Sequence, residues 1–185
     1  MTDEILREAD SKMRKTVESL TKGLAGVRSG RASPSLLDGL RIDYHGVPTP
    51  LKQIASVVVP EARLIVIQPW DKTQLGNIEK AILKSDLGLN PANDGAVIRL
   101  PVPPLTEDRR KELVKLVRKR VEEARISLRN ERRDALEKLR HQEKEKLISA
   151  DQSKRAGDQL QKLLDRFVLE ADGIGQAKEK ELMEV

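Results

Sequence analysis

Two histidines and no cysteine leave this 185-residue chain few groups suited to covalent or metal chemistry. His45 falls in an expected turn and His141 on a charged helix face. Neither has a partner at the spacing of a metal site or a catalytic triad, so both read as surface polar positions. Gly23, Gly26 and Gly30 invite comparison with a phosphate loop. A Walker loop, however, needs a strand before it and Gly-Lys-Ser/Thr opening a helix after it. Here a helical pattern precedes and Pro34 follows, which excludes that chemistry. No catalytic residue, metal or cofactor is expected, and the chain reads as a non-enzyme.

Charge is the remaining resource. Lys plus Arg number 35 against 30 for Asp plus Glu, a net +5 on a charged fraction of 35%. So small an excess matters only where the signs are segregated in space. One Trp, one Tyr and one Phe are too few for a base-stacking platform. A nucleic-acid partner would therefore be gripped by its phosphates and shape. The segregation is present after Thr106, where no glycine or proline interrupts the chain before Ala156 and an apolar seam runs Leu113, Val117, Val121, Ala124, Leu128, Ala135, Leu139. At about 100° per residue counted from Arg110, this seam centres near about 350°. Arg132, Arg125, Arg118, Arg129 and Arg133 then fall between about 40° and 140°. Glu112, Glu123, Glu131, Asp134, Glu137 and Glu145 fall between about 180° and 300°, with Glu122 and Glu143 as exceptions on the basic side. Arginine forks suit phosphates, and a rigid rod with such an edge is a backbone reader of structured RNA or DNA. Arg132 also interrupts the seam, sharing with Glu131 the slot between Leu128 and Ala135.

Three helices must position that edge. The first is expected from Thr2 to Arg28, with Ile5, Ala9, Met13, Val17, Leu20, Leu24 and Val27 at steps of three and four. The second starts at Thr106 as N-cap and, if helical to Ile148, is roughly 60 Å long. The third follows Ser149, which with Gln152 forms a capping box. Its expected seam is Ala156, Leu160, Leu163, Phe167, Ala171, Ile174 and Leu182, weakened by Gly173 and Gly175. Narrow stripes of this kind are stable only against one another, as an antiparallel three-helix bundle.

The material between the first two helices is different. Residues 31–104 hold 8 Lys plus Arg and 7 Asp plus Glu in 74 residues, and all nine prolines. "LRIDYHGVPTPL" reads as a hairpin turning at His45-Gly46, and "IASVVVPEARLIVIQPW" as two strands around Pro60-Glu61. "DKTQLGNIEKAILKSDLG" reads as a short helix capped by Asp71 and closed by Gly88, and "GAVIRLPVP" as a last strand. The expected class is α+β: an elongated bundle of residues 1–30 and 105–185 with a small β/α/β sandwich domain, 31–104, inserted in it. Both crossings, 29–34 and 101–106, leave one end of the bundle and must lie side by side.

These residues resemble the ribosome recycling factor family over essentially the whole length. The resemblance is carried by "VRSGRASPSLL", "IDYHG", "SDLGLNPANDGAVIRLPVPPLTEDRRKELVK", "SLRNERRDAL" and "KEKELMEV". It implies an L-shaped molecule that acts with elongation factor G and GTP to dissociate post-termination ribosomes into subunits. The implied partner surface is the large subunit's 23S rRNA across the A and P sites, with GTP consumed by elongation factor G. Arg28, Arg31, Arg110, Arg129, Arg132 and Arg133 match the family's contact arginines, Arg132 foremost. The family's movement of the small domain implies a two-stranded hinge, here Ser29, Gly30, Ala32, Ser33 and Pro34 beside Pro103, Pro104, Leu105 and Thr106. Two positions depart from the pattern: His45 stands for a tyrosine, and Glu131 for an apolar residue, which puts an acid beside the central arginines. A cytoplasmic monomer is expected, since the acidic start "MTDEILREADSKM" resembles no signal or transit peptide and no apolar run reaches membrane length. The rival is a coiled-coil adaptor or chaperone for tRNA or protein, which needs an apolar tip. Residues 140–152 are almost wholly polar apart from Leu147 and Ile148.

Overall fold

The structure is a computed structural model that describes residues 1–184. Val185, the last residue of the expected bundle, lies outside the described residues. The chain divides into two compact units, one of residues 1–27 with those from Glu107 onward, the other Arg28–Thr106.

The first unit is three helices, α1 (Thr2–Ala25), α3 (Glu107–Lys144) and α4 (Ala150–Met183). Pairs such as Glu8 with Lys138 and Thr16 with Glu131 run in opposite chain directions, so α1 and α3 are antiparallel. Arg118 with Glu179 and Arg125 with Asp172 show the same for α3 and α4. α1 stops three residues before the expected Arg28. The Val27 amide donates to the Leu24 carbonyl at 3.0 Å, a tight closing turn, and Val27 is still buried. α3 likewise ends at Lys144, before the expected Ile148, because Lys146 enters the left-handed region at φ 58°. The capping box forms as read: the Gln152 amide donates to Ser149 Oγ at 3.1 Å, and the Ser149 amide to Gln152 Oε1 at 2.8 Å.

All seven expected seam residues of α3 are buried. On α4, Leu164 and Gly175 are buried where Leu163 and Ile174 were expected. Gly175 is the reason at the second place: a Cβ there would stand 2.6 Å from Val121 Cγ2, so the helices meet backbone to side chain. Gly175 is thus a contact point of the bundle and not a weakness in it.

The second unit holds α2 (Leu75–Lys84) and six strands, β1 (Arg41–Tyr44), β2 (Val47–Pro50), β3 (Ala55–Glu61), β4 (Leu64–Pro69), β5 (Ala92–Asn93) and β6 (Ile98–Pro101). β1 and β2 form a hairpin, and the other four an antiparallel sheet of order β3-β4-β6-β5. The first hairpin turns through His45 (φ 52°) and Gly46 (φ 82°), the left-handed pair that matches strand twist. Three expectations shift. Pro34 does not just stop a helix; it opens a one-turn 3-10 helix, Pro34–Leu37, capped by Ser33. The β3–β4 turn lies at Ala62-Arg63, leaving Pro60 inside β3 at a register irregularity, where a missing amide is tolerated. α2 closes at Ser85, before Gly88, as the Ser85 amide and hydroxyl both reach back to the Ile82 carbonyl. Asp71 caps as read, its Oδ1 accepting the Thr73 amide at 3.0 Å, but it caps a 3-10 turn that leads into α2. β5, not expected from the sequence, pairs through only two residues, Ala92 with Arg99 and Asn93 with Ile98. The unit's core joins Leu37, Ile42, Leu51, Ile65, Ile67, Ile78, Ile82, Ile98 and Leu100. The architecture is α+β, a three-helix bundle with an inserted small unit.

Candidate nucleic-acid interface

α3 presents different groups to its two neighbours. Toward α1 it carries Arg120, Glu123, Glu131, Asp134 and Lys138; toward α4 it carries Arg118 and Arg125. The α1 flank therefore mixes both signs, while the groups paired with α4 are arginines.

The arginines on the α4 side are not equivalent. Arg118 is exposed but already bidentate to Glu179, at 2.9 Å and 3.2 Å, which raises its pKa. Arg125 is half-buried between Glu122 and Asp172, which raise its pKa in that order. Glu122 is held low chiefly by its hydrogen bond from Arg125, and it reaches Arg129 only at 3.5 Å. Arg133 is exposed, with Asp134 at 3.9 Å. Arg110 and Arg132 stand apart. Both are half-buried, and the Nε of each is buried with no hydrogen-bond partner. No carboxylate pairs with either guanidinium among the described residues. They are 22 residues apart on α3, about 33 Å of rod, and about 40° apart around it. Packing fixes their stems while leaving their charge uncompensated, an arrangement suited to an anion.

The two arginines before the small unit's first strand serve differently. Arg28 is half-buried and donates through Nη1 to the Leu87 carbonyl, tying the segment after α1 to the loop after α2. Arg31 is exposed. Among the hinge candidates, Gly30 (φ 76°) lies against Leu105, whose amide nitrogen would be 3.2 Å from an added Cβ. Residues from the two crossings thus touch. Pro34 and Ser33 belong to the 3-10 turn.

The chain matches the family model described as "Ribosome recycling factor" over residues 20–183. The chain belongs to the ribosome recycling factor family. It is 58% identical over 185 residues to the ribosome-recycling factor of Syntrophomonas wolfei, and 55% identical to that of Heliobacterium modesticaldum, in each case over the full length of both chains. A solution structure of a ribosome recycling factor superposes with a TM-score of 0.80 at 45% identity, covering 100% of this chain and 98% of the other. A second structural neighbour is the T. thermophilus ribosome recycling factor, presented with E. coli elongation factor G on the E. coli post-termination complex. It has a TM-score of 0.66 at 47% identity, with all of both chains covered.

Several contacts of this member of the family depend on the register between helices. Arg120 donates to the Gly23 carbonyl, and Thr16 Oγ1 to Glu131 Oε1 at 2.6 Å, so polar groups cross between α1 and α3. Phe167 is buried beneath Arg166 and Arg14, at 4.7 Å and 5.8 Å from its centroid, and both arginines pair with Asp10. No local motif announces such cross-helix pairs; they depend on register. At the α3–α4 connection Leu147 is 54% exposed, while Ile148 is buried in the bundle core. That leaves a single exposed apolar side chain where an adaptor's tip would need several. Among the described residues no group of three His, Cys, Asp or Glu side chains could hold a metal ion. No helix of the described residues is long and apolar enough to cross a membrane.

Proposed function

We infer that this chain is a translation factor that, with elongation factor G and GTP, separates post-termination ribosomes into subunits for a new round of synthesis. The observation that carries the RNA-binding half of this reading is the pair Arg110 and Arg132, held by packing and left without counter-ions. Arg129 and Arg133, exposed and only loosely paired, extend the same edge. The surface proposed for this edge to grip is 23S rRNA of the large subunit, across the A and P sites. Phosphates would be the ligands, since the chain has no aromatic platform.

Arg118 and Arg125 take a lesser part in this reading, because a phosphate would have to displace Glu179 or Asp172. Arg28 supports the small unit, and Arg31 remains a contact candidate. The work is mechanical: the chain itself is not a catalyst, holds no cofactor, and leaves GTP hydrolysis to elongation factor G. It acts as a cytoplasmic monomer of two domains, and the crossings 29–34 and 101–106 serve as a paired hinge. Support for that hinge is local, the close approach of Gly30 to Leu105.

The decisive experiment incubates post-termination ribosomes with the protein, elongation factor G and GTP, and reads subunits by sedimentation. Separation that needs all three components is expected. Intact ribosomes after that treatment would overturn the reading.

A further inference from the structure

Positions 131 and 132 occupy the one level of the α3 seam that has no apolar residue, between the buried Leu128 and Ala135. Adjacent helix positions point about 100° apart, so these two side chains cannot pair with each other. Glu131 faces α1, where its Oε1 accepts the Thr16 hydroxyl at 2.6 Å. Its Oε2 is buried without a partner, as is the Nε of Arg132. Two orphaned polar atoms of opposite character thus flank one point of the core.

Glu131 and Lys12 also line two grooves between α1 and α3. One, of about 730 Å³, runs toward Gly23 and Arg120; the other, of about 20 Å³, runs toward Ile5 and Ala135. The Thr16–Glu131 bond is therefore a partition across the α1–α3 contact at the level of Arg132. The charged groups lining these grooves with it are Glu8, Lys12 and Lys15 from α1 and Arg120, Glu123, Asp134 and Lys138 from α3; no α4 residue lines either groove. Burial holds the Glu131 carboxyl above its ordinary value; the Thr16 bond and Lys12 partly offset this, and Asp134 adds to it.

We propose that Glu131 is a positioning residue that tunes the arginine edge at Arg132: its bond to Thr16 fixes α3 against α1 beside Arg132, and its charge, when present, weakens the hold of Arg132 on phosphate. This rests on the RNA-binding reading above. A neutral carboxyl keeps an acceptor oxygen for Thr16, so the positioning survives protonation while the opposing charge disappears. One unit charge at about 8 Å in a water-like medium changes affinity by at most about two- to threefold, the limit reached at low salt.

The test measures binding of the full-length chain to vacant ribosomes at fixed salt, for wild type, Glu131→Gln and Glu131→Leu, from about pH 7.5 down into the ordinary carboxylate range. Glutamine keeps an acceptor for Thr16 without the charge. At low salt it should bind up to about two- to threefold tighter at the upper pH, with the gap closing as the wild-type carboxyl takes up its proton. The two proteins share every other titrating group, so their affinity ratio isolates position 131. Leucine fills the slot but cannot accept from Thr16, and should bind more weakly than glutamine throughout. A ratio of wild type to glutamine that stays at one, or that does not change with pH, overturns the tuning. Leucine matching glutamine overturns the positioning. If instead wild type binds without salt dependence and Arg132→Ala leaves its affinity unchanged, the RNA-binding reading itself falls.

Discussion

α3 touches its two neighbours in contrasting ways. Against α4 the contact is close, with Gly175 letting Val121 approach the backbone, and the flank is edged by guanidiniums held by Glu179, Asp172 and Glu122. Against α1 the facing residues include Ser19, Gly23, Ala124 and Ser127, which leave an open groove crossed by polar bonds from Arg120 and Thr16. Tight packing therefore lies on the flank where guanidiniums are paired with carboxylates, and the looser flank mixes acids with Lys12, Lys15, Arg120 and Lys138. A long arginine loses much rotamer freedom on binding, and bracing its stem beforehand lowers that cost.

The largest expected effect separates braced and free arginines from braced and neutralised ones. Arg132→Ala should lose about 1–3 kcal/mol of ribosome binding, about 5- to 150-fold, with the fold intact by circular dichroism. Arg118→Ala, measured at the same salt, should lose less than about threefold, because Glu179 already holds that charge. Equal losses would erase the distinction drawn along the edge. Next comes packing. Gly175→Ala should cost about 1–3 kcal/mol in thermal unfolding, since its methyl group meets Val121. Gly173→Ala, with open space around it, should gain about 0.5–1 kcal/mol from helix propensity. Like signs at these two glycines would contradict the close α4 contact. The smallest effect belongs to the α1 side. Burial raises the Glu131 pKa in the fold, so folding penalises its charged form relative to the unfolded chain. Its stability contribution is complete below the ordinary carboxylate value and is lost as pH rises through the folded value. Glu131→Gln should therefore unfold at a slightly higher temperature near neutral pH, and that advantage should vanish toward about pH 4.

The seam of α3 and the cap at Ser149 were legible because they depend on local spacing alone. Leu164 and Gly175 were not, because which of two adjacent residues faces inward depends on how closely a partner helix approaches. Gly175 read as a propensity defect until Val121 explained it. In the small unit, the His45-Gly46 turn was visible in its residue types, whereas Pro60 misled because a bulge can absorb a proline inside a strand. The arginine edge could be drawn on a helical wheel, but its division into paired and unpaired members could not. Glu179 and Asp172 lie 61 and 47 residues further along the chain from their partners. Only the register of α4 on α3 brings them there.

Those two acids bear on behaviour in a cell crowded with messenger and transfer RNA. A bare arginine rod would stick to any polyanion it met, and most of the protein would be sequestered on the wrong molecules. With Glu179 and Asp172 as built-in competitors, a stray strand that offers one or two phosphates gains little by displacing them. A surface whose phosphates match Arg110 and Arg132 across the length of the rod needs to displace neither. If the edge grips phosphate as proposed, the carboxylates on α4 act as a filter on occupancy, trading some attraction for a short list of places where the protein comes to rest.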